Sequence, residues 1–477
     1  MEPTTRDFRP QARKVLENPR LQASLSALYS TFHQARQAAA RETPGWEELR
    51  RRAREIKAHV IENLDHYLDL AYRRVTAAGG HVFFAADAQE ATRYILDLAR
   101  QRGVRTVIKS KSMVSEELSL AHRFQEAGIE AVETDLGEYI IQLAGETPFH
   151  IIAPAIHKSK EDVVDLFRRV LGSPRYERPE ELTAEARRQL RQKFVQADMA
   201  VTGANFVVAE TGTVVLVTNE GNGRMCTSMP PLHVAVTGME KLVPSMEDLA
   251  LFLKLLVRSA TGQRLSTYVT AVTGPRREGE EDGPEEFHLV ILDNGRSRLL
   301  SDPHLREALY CLRCGACLNA CPVYRKVGGH AYGYVYSGPI GAVISPVLTD
   351  LASARDLPYA SSLCGACREA CPVEIDIPRM LLYLRHLLAE EVGGPAAERL
   401  AFKAWRAVVS GPGAMQAAGR MGRLALRPLA RDERVSRLPP PLAGWTRSRD
   451  FPLPAARPFR RRWRELASEE GPSEAEG

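Results

Sequence analysis

Residues 81–133 read HVFFAADAQEATRYILDLARQRGVRTVIKSKSMVSEELSLAHRFQEAGIEAVE, and this stretch decides the fold class. Short apolar runs alternate in it with longer amphipathic stretches. The pattern predicts strands at 81–85, 106–109 and 129–133, and helices at 88–102 and 115–127. Because strands that alternate with helices of this length form β–α–β crossovers, the sequence predicts an α/β domain with a mainly parallel sheet.

The same domain continues to about residue 298. Two apolar runs, 204–209 and 213–218, flank a glycine-containing turn and predict an antiparallel hairpin. Two further strands are predicted at 268–272 and 287–292, with a charged, solvated loop between them. Antiparallel strands therefore accompany the parallel sheet.

Composition divides the 477 residues into four parts, which fits a length of about three typical domains. We predict the following boundaries: a helical N-terminal arm at 1–75, the α/β domain at 76–298, a mainly helical cysteine-rich domain at 299–390 and a basic C-terminal extension at 391–477. The arm has a narrow apolar stripe, so we interpret it as a docking or assembly element.

Charge and hydropathy exclude several classes of protein. The formal net charge is only +5, which gives no reason to expect a nucleic acid partner. No apolar run approaches the roughly 18 residues that span a bilayer, and the opening residues MEPTTRD lack a secretory h-region. The sequence thus predicts a soluble, cytoplasmic protein whose clustered thiols bind metal in preference to forming disulfides.

The C-terminal extension is the one strongly basic part of the chain. Between residues 399 and 464 it has 16 Lys and Arg against three acidic residues, and four aromatic residues accompany them: Trp405, Trp445, Phe459 and Trp463. Two interpretations stay open, namely a helical extension packed on its own protein and a peripheral contact with anionic lipid or an acidic partner at the inner face of the membrane. Residues 439–441 predict a linker, and 469–477 a disordered acidic end.

Seven of the eight cysteines lie between positions 311 and 371. Ser301-Asp302-Pro303 predicts the start of a helix that runs into the first of them. The run that follows, Cys-x2-Cys-x2-Cys-x3-Cys-Pro, begins at Cys311 and ends at Pro322, and it is the pattern that binds 4Fe–4S clusters in bacterial ferredoxins. Zinc sites use paired knuckles instead of four cysteines in one such run, so the motif predicts iron and sulfide.

A second motif repeats the first one thiol short, because Ser361 stands where the first cysteine is expected. In two-cluster ferredoxins the fourth cysteine of each run binds the other cluster. The spacing therefore assigns Cys311, Cys314, Cys317 and Cys371 to one cluster, and Cys321, Cys364 and Cys367 to the other.

The second cluster is left with one corner lacking a thiolate, and three alternatives follow. The first alternative is a 3Fe–4S centre. The second is a 4Fe–4S centre whose fourth iron is bound by water, by Ser361 or by a residue from elsewhere. The third is a 4Fe–4S centre whose open iron binds a ligand. With one anionic ligand fewer, this cluster is expected to be the easier one to reduce. The remaining thiol, Cys226, is interpreted as a buried residue and not a ligand.

A resemblance to a known family rests on several motifs of the α/β domain. They are Glu133-Thr134-Asp135-Leu136-Gly137-Glu138-Tyr139, Glu210-Thr211-Gly212-Thr213, Thr218-Asn219-Glu220-Gly221-Asn222-Gly223-Arg224, Gly274-Pro275-Arg276 and Asp293-Asn294-Gly295-Arg296-Ser297. Together with the cysteine motifs they resemble the lactate utilization protein B family over nearly the whole chain. The resemblance implies a LUD domain with a sheet like that of sugar-phosphate isomerases and CoA-transferases.

The resemblance also implies a function: an iron–sulfur electron-transfer subunit of a system that oxidises L-lactate to pyruvate. The implied partners are a cysteine-rich iron–sulfur protein, a second LUD protein and an unidentified electron acceptor. The seven cysteine ligands carry over onto the positions assigned above.

The α/β domain has no complete dinucleotide or hydrolase motif. Two groups of polar residues predict an anion pocket, although a solvated loop and hairpin ends are equally compatible with them: Lys109 and Lys111 after a strand, and Asn219, Asn222 and Arg224 after the hairpin. The alternative function is thus an oxidoreductase that binds a small carboxylate itself and passes its electrons to the clusters. A third possibility is a module in which the clusters only hold the fold or sense oxidants.

Overall fold

The computed structural model describes residues 3–394, 396–440 and 442–469. The chain divides into two units, Met1–Glu391 and Val392–Gly477. In the described residues, no helix is long and apolar enough to cross a membrane.

The arm consists of five helices: α1 Phe8–Leu16, α2 Pro19–Leu28, α3 Gln34–Glu42, α4 Trp46–Glu62 and α5 Leu64–Ala77, with a π-helical turn at Tyr29–His33. Helix α4 shows why the arm packs as it does. Its buried positions Trp46, Ala53 and Val60 are at most 7% exposed and recur at helical spacing. They join a core cluster that also contains residues of the α/β domain and of the cysteine-rich domain. The arm therefore docks onto its own chain.

The main sheet has six strands: β1 His81–Ala85, β2 Thr106–Lys109, β3 Glu130–Glu133, β4 Met199–Gly203, β7 Leu232–Gly238 and β10 Glu286–Leu292. Their order is β1-β10-β7-β4-β2-β3, and every neighbouring pair is parallel. Strand β7 is buried at every position, as expected for a central strand covered on both faces. The predicted α/β fold with a parallel sheet is confirmed.

The second sheet has four strands: β5 Phe206–Val208, β6 Thr213–Thr218, β8 Leu242–Val243 and β9 Tyr268–Val272, in the order β8-β5-β6-β9. Strands β5 and β6 are antiparallel, which confirms the predicted hairpin. Gly212 closes its turn with a φ of +72°, and an added Cβ would lie 2.6 Å from the backbone nitrogen of Val75. Only glycine fits this approach to helix α5.

Eight helices connect these strands: α6 Ala88–Gln101, α7 Met113–Glu117, α8 Leu120–Glu126, α9 Leu136–Ala144, α10 Lys160–Leu171, α11 Pro179–Gln196, α12 Asn222–Ser228 and α13 Met246–Thr261. Helix α14 Arg296–Ser301 follows the last strand, β10. A short 3₁₀ turn, Met239–Lys241, follows β7. The single helix predicted at 115–127 is wrong. Ser119 takes a left-handed conformation, with a φ of +53°, and separates α7 from α8.

The cysteine-rich domain is mainly helical: α15 Ala316–Ala320, α16 Tyr324–Val327, α17 Gly338–Leu348, α18 Ala366–Ala370 and α19 Ile377–Leu387, with 3₁₀ turns at Arg306–Tyr310, His330–Tyr332 and Leu357–Tyr359 and a π-helical turn at Leu388–Val392. The helix predicted to start at Ser301 is wrong, since Ser301 is the last residue of α14. The Asp302 carboxylate accepts a hydrogen bond of 2.8 Å from the His304 amide, which turns the chain before the 3₁₀ segment.

The second unit contains helices α20 Ala396–Val409, α21 Pro412–Leu426 and α22 Phe459–Glu469, 3₁₀ turns at Arg427–Leu429 and Leu442–Thr446, and a two-stranded antiparallel sheet of β11 Arg434–Val435 and β12 Phe451–Pro452. The four aromatic side chains noted above are 57–73% exposed. Of the predicted linker, position 441 lies outside the described residues, as does all but the first residue of the predicted acidic end. The lipid or acidic-partner contact of this unit stays a prediction.

Candidate iron–sulfur site

The first cysteine loop contains two residues with a left-handed backbone. Arg313 has a φ of +61° and Gly315 a φ of +75°, on either side of Cys314. The amide of Arg313 donates to Cys311 Sγ at 3.4 Å, so the loop folds back on its own first thiol. Helix α15 then carries Cys317.

The four thiols predicted to bind the first cluster line one cavity: Cys311, Cys314, Cys317 and Cys371. Each of these residues is at most 9% exposed. Burial raises the pKa of Cys314 to about 12, and the neighbouring Cys371 and Cys311 add to the shift. Four buried sulfur atoms around a mostly apolar cavity are a donor set that fits a 4Fe–4S cluster.

The three thiols predicted to bind the second cluster are also neighbours. Burial raises the pKa of Cys367 to about 12, and the proximity of Cys321 and Cys364 contributes. Cys364 is exposed, in contrast to the other six cysteines of the two motifs. The buried Tyr332 hydroxyl has no hydrogen-bond partner, and burial and the nearby Cys321 raise the pKa of Tyr332. An unpaired donor beside these thiols fits a group with sulfur acceptors.

Ser361 occupies the position in the second loop that Cys311 occupies in the first. Its Oγ accepts a hydrogen bond of 3.1 Å from the Leu363 amide, just as Cys311 Sγ accepts from the amide two residues later. Leu363, like Arg313, has a left-handed φ, of +57°. The two loops therefore share one local geometry, with an oxygen in the second where the first has a sulfur.

Three arginines of the arm fasten the second cysteine motif. Arg36 Nε donates to the Ala370 carbonyl at 3.1 Å, and Arg50 Nε donates to the Cys371 carbonyl at 2.9 Å. Arg54 Nη1 donates to the Glu374 carbonyl at 2.8 Å. Arg36 and Arg50 thus supply donors to carbonyls at the end of α18, which its helical hydrogen bonds leave free, and Arg54 supplies one to the segment that follows. The apolar periodicity of the arm predicted docking but not this clamp.

A buried ion network joins the carboxyl ends of the sheet to the cysteine-rich domain. Arg296, in a motif that sequence alone left without a role, donates from Nη2 to Glu117 at 2.9 Å and from Nε to Glu240 at 2.7 Å. Glu240 also accepts from Arg313 of the first cysteine loop at 3.3 Å. Tyr336 donates to Glu117 at 2.5 Å. Burial opposes ionisation of Glu240, but the nearby Arg296 and Arg313 overcome it and lower the pKa of Glu240 to about 2.

A cavity of about 320 Å³ lies where strands β2, β4 and β6 end. Of the five residues predicted to form an anion pocket, three line it: Lys111, Asn219 and Asn222. Lys109 does not, because it is fully buried and forms ion pairs with Glu133 and with Glu116, the latter at 3.3 Å. Arg224 is exposed and does not line the cavity either.

Sequence reasoning missed two cations of this cavity, Lys241 and Arg313. Lys241 is 6% exposed and Arg313 comes from the cysteine loop, so the cavity combines two domains. Burial lowers the pKa of Lys241 to about 8, and Arg313 adds to this.

Cys226 is a buried core residue of helix α12, and burial raises the pKa of its thiol to about 12. Its Sγ lies 3.6 Å from the hydroxyl oxygen of Thr134.

Comparison with known families gives three matches along the chain. Residues 68–292 match the LUD domain, residues 307–375 the 4Fe-4S dicluster domain, and residues 385–467 the domain described as lactate utilisation protein B, C-terminal. The motifs quoted from the α/β domain and the cysteine motifs lie inside the first two matches, apart from residues 293–297, which follow the first one.

Relatives match at full length. Lactate utilization protein B of Bacillus licheniformis is 47% identical over 469 residues, which cover 98% of both chains, and that of Bacillus subtilis is 47% identical over 455 residues and 95% of both chains. Among solved structures, a DUF162 family protein from Deinococcus radiodurans aligns with 48% of this chain and 98% of its own. Its TM-score of 0.28 and its identity of 12% are too low to support an inference. The identity over both full lengths shows that this chain belongs to the lactate utilization protein B family.

Proposed function

We propose that the chain is an iron–sulfur electron-transfer subunit of a system that oxidises L-lactate to pyruvate. The observation that carries this proposal is the set of four buried thiols around one cavity, with three further thiols beside it. When bound, each cluster supplies one-electron transfer. The chain's own residues hold the thiols in place, since the first loop, helix α18 and the arm fix their backbone.

The dicluster match supports two clusters, with the ligands assigned from the spacing. For the second cluster we propose three thiolates and the Ser361 oxygen at the fourth corner. The shared geometry of the two loops supports this choice over a 3Fe–4S centre and over a ligand from elsewhere. Two unlike donor sets are expected to have different potentials.

The experiment that tests the proposal is a redox titration of anaerobically purified protein, followed by low-temperature EPR, iron and sulfide analysis. Cys314→Ala is expected to remove the signal of the first cluster and lactate-dependent electron flow in the assembled system. Cys226→Ala is the matched control, because this cysteine is equally buried but lies outside the motifs. Zinc in place of iron, or electron flow that survives the loss of the first cluster, would overturn the proposal.

The fourth ligand is tested by two substitutions at one site. Ser361→Ala is expected to give a second cluster that loses one iron, seen as a 3Fe–4S EPR signal after mild oxidation. Ser361→Cys is expected to keep four irons and to change only the spectrum of the second cluster. Ser362→Ala, at the exposed neighbouring position, is the control. An unchanged second cluster in both Ser361 variants would refute the assignment.

The alternative function, an oxidoreductase that itself oxidises a small carboxylate, is supported by one observation: the cavity of the α/β domain reaches Cys314. Anaerobic assay of the isolated protein with L-lactate and an artificial acceptor separates the two functions. Turnover without other proteins would favour the oxidoreductase. We propose that the electron-transfer function instead requires other subunits, a cysteine-rich iron–sulfur protein and a second LUD protein.

A further inference from the structure

Three side chains that can bind a metal ion lie together at the amino-terminal edge of the main sheet. They are His81, the first residue of β1, and Glu286 and His288, the first and third residues of β10. Their ring nitrogen and carboxylate oxygen atoms lie within 4.8 Å of one another. We call them the β1–β10 triad. The cavity and the first cysteine loop adjoin the opposite, carboxyl-terminal edge of the sheet, so the triad is a separate site.

The strand register brings the triad together. Parallel pairing of β1 with β10 aligns His81 with His288, and neighbouring strands are about 4.8 Å apart, so the two rings are adjacent on one face. Their centroids are 4.7 Å apart. Glu286 precedes His288 by two residues, and the alternation of side chains along a strand places both on that same face. The backbone of two paired strands therefore fixes where all three donors start.

Hydrogen bonds orient the ring of His288. Its Nε2 lies 2.8 Å from Glu286 Oε1, and its Nδ1 lies 2.6 Å from the hydroxyl oxygen of Tyr94. Tyr94 in turn stacks on Phe83 with ring centroids 4.0 Å apart, which fixes the hydroxyl. Because a tyrosine hydroxyl can donate or accept, the ring of His288 can carry its hydrogen on Nδ1 and present the lone pair of Nε2 to a metal. Metal-binding histidines typically have such a partner on the other nitrogen.

The donor set of the triad fits zinc. Two imidazole nitrogen atoms and one carboxylate oxygen are a known set of three protein ligands for Zn²⁺, with water in the fourth position. Around a tetrahedral zinc ion the donor atoms are about 3.4 Å apart, so the triad reaches this geometry through small side-chain rotations. His288 is 4% exposed, whereas His81 is exposed and leaves a path from solvent. Hard cations such as Mg²⁺ prefer oxygen ligands alone.

One cation competes with a metal for the carboxylate. Arg102 donates from Nε to Glu286 Oε2 at 2.8 Å and from Nη2 to Oε1 at 2.9 Å. Its side chain is 49% exposed, so the guanidinium can turn into solvent when a metal binds Oε1. A metal ion at the triad must therefore displace or repel Arg102, and removal of this arginine should strengthen metal binding.

We propose that the β1–β10 triad binds one zinc ion through His81, His288 Nε2 and Glu286 Oε1, with water as the fourth ligand. Strand β1 stands at the end of the six-strand order, next to β10. An edge strand is paired on one side alone, and a zinc ion that joins it to its neighbour stabilises it there. The site does not depend on the electron-transfer function, because it lies at the other edge of the sheet from the thiols.

The test is zinc binding to the anaerobic holoprotein at about pH 7.5, measured by equilibrium dialysis, with X-ray absorption at the zinc edge as a second readout. One zinc ion per chain is expected, with nitrogen and oxygen ligands at about 2.0–2.1 Å and with iron content unchanged. Zinc that had replaced iron at the cysteines would instead show sulfur ligands at about 2.3 Å. Mg²⁺ is the hard cation for comparison and is not expected to compete.

Three variants and a control locate the site. His81→Ala removes a ligand and is expected to weaken zinc binding about 100-fold. Tyr94→Phe keeps the aromatic ring but removes the hydroxyl, and about a ten-fold loss is expected. Arg102→Met is expected to tighten binding. His122→Ala is the matched control, because His122 is an exposed histidine 3.3 Å from a carboxylate, that of Glu126, and it should change nothing.

Melting curves check that the variants are folded. Zinc is expected to raise the melting temperature of the parent protein and of His122→Ala but not that of His81→Ala, which without zinc should melt with the parent since His81 is exposed. Absence of bound zinc, sulfur ligands in the absorption spectrum, equal effects of the His81 and His122 substitutions, or weaker binding in Arg102→Met would each overturn the inference.

Discussion

Replacing Arg296 with methionine should destabilise the first unit severely. Its guanidinium is 1% exposed and is shared by two carboxylates, Glu117 and Glu240, which are equally buried. Methionine fills a similar volume but leaves both carboxylates without their main cation. Breaking a buried ion pair by removing one partner costs about 3–5 kcal/mol. Because two carboxylates lose the same partner here, we expect the upper part of that range.

The assay is thermal melting of the anaerobic holoprotein followed by circular dichroism. For a domain of a few hundred residues, a loss of this size lowers the melting temperature by on the order of 5–10 °C. Arg298→Met is the matched control, since Arg298 lies on the same helix α14 and is exposed, and its side chain donates to the Leu348 carbonyl at 3.1 Å. The control is expected to melt within about 2 °C of the parent, as for most surface substitutions.

The pH dependence gives an independent check. In the parent protein the pKa of Glu240 is held at about 2, so the stability it contributes is present above the unfolded value of about 4.3 and is lost only as the pH falls towards 2. Without Arg296, burial raises the pKa of both carboxylates, and the folded state gains protons as the pH falls. The deficit of the variant should therefore shrink between about pH 8 and pH 5. A deficit that is independent of pH, or no larger than that of the Arg298 control, would refute the reasoning.

Three further predictions concern the cysteine-rich domain and its contacts. Arg50→Leu should accelerate loss of the first cluster to an iron chelator, because the Cys371 and Arg368 carbonyls of the second motif lose their donor. Arg51→Leu, at the exposed neighbouring position, should leave that rate unchanged. Visible absorbance measures the rate of cluster loss in both variants. Gly315→Ala should destabilise the protein more than Gly365→Ala. Both glycines have a left-handed backbone, but only at position 315 would an added Cβ lie within 3.0 Å of isoleucine side chains. Comparable melting temperatures of the two variants would contradict this prediction. Burial lowers the pKa of His150 to about 3, so below about pH 6.5 the unfolded chain takes up a proton that the folded chain excludes. The free energy of unfolding should therefore fall by up to about 1.4 kcal/mol per pH unit as the pH decreases. His150→Gln should reduce this slope in melting temperatures measured as a function of pH.

Strands β1, β2, β3 and β10 of the parallel sheet were predictable because each is a short apolar run with a clear boundary, whereas the two central strands, β4 and β7, were not predicted. The run at 106–109, for example, is followed at once by polar residues and matches β2 in full. The helix predicted across Ser119 failed because periodicity does not report a left-handed residue between two amphipathic segments. The helix predicted to start at Ser301 was wrong for a related reason, since serine, aspartate and proline favour both helix starts and turns.

The cysteine motifs could be read because their spacing is local, whereas the cavity could not. Lys109 and Lys111 are two residues apart, a spacing that would place both side chains on one face of a continuous strand. Because β2 ends at Lys109, the first is buried against Glu133 and the second lies on the cavity. Lys241 and Arg313 lie more than 100 residues from Lys111 in the chain, so no pattern links them. Only the order of the strands, and the contact of the cysteine loop with their ends, brings these groups together.

The two cysteine loops differ at one telling position. Arg313 and Leu363 occupy the same left-handed site, two residues after Cys311 and Ser361 respectively. In the first loop that site carries a guanidinium that pairs with Glu240 and lines the cavity, and in the second it carries an apolar side chain packed on the core. Arg313 Nη1 is buried without a hydrogen-bond partner, whereas the Leu363 side chain has no polar atom. The two sets of thiols therefore have different surroundings: a buried guanidinium lies beside the first set, and the second set contains the exposed Cys364.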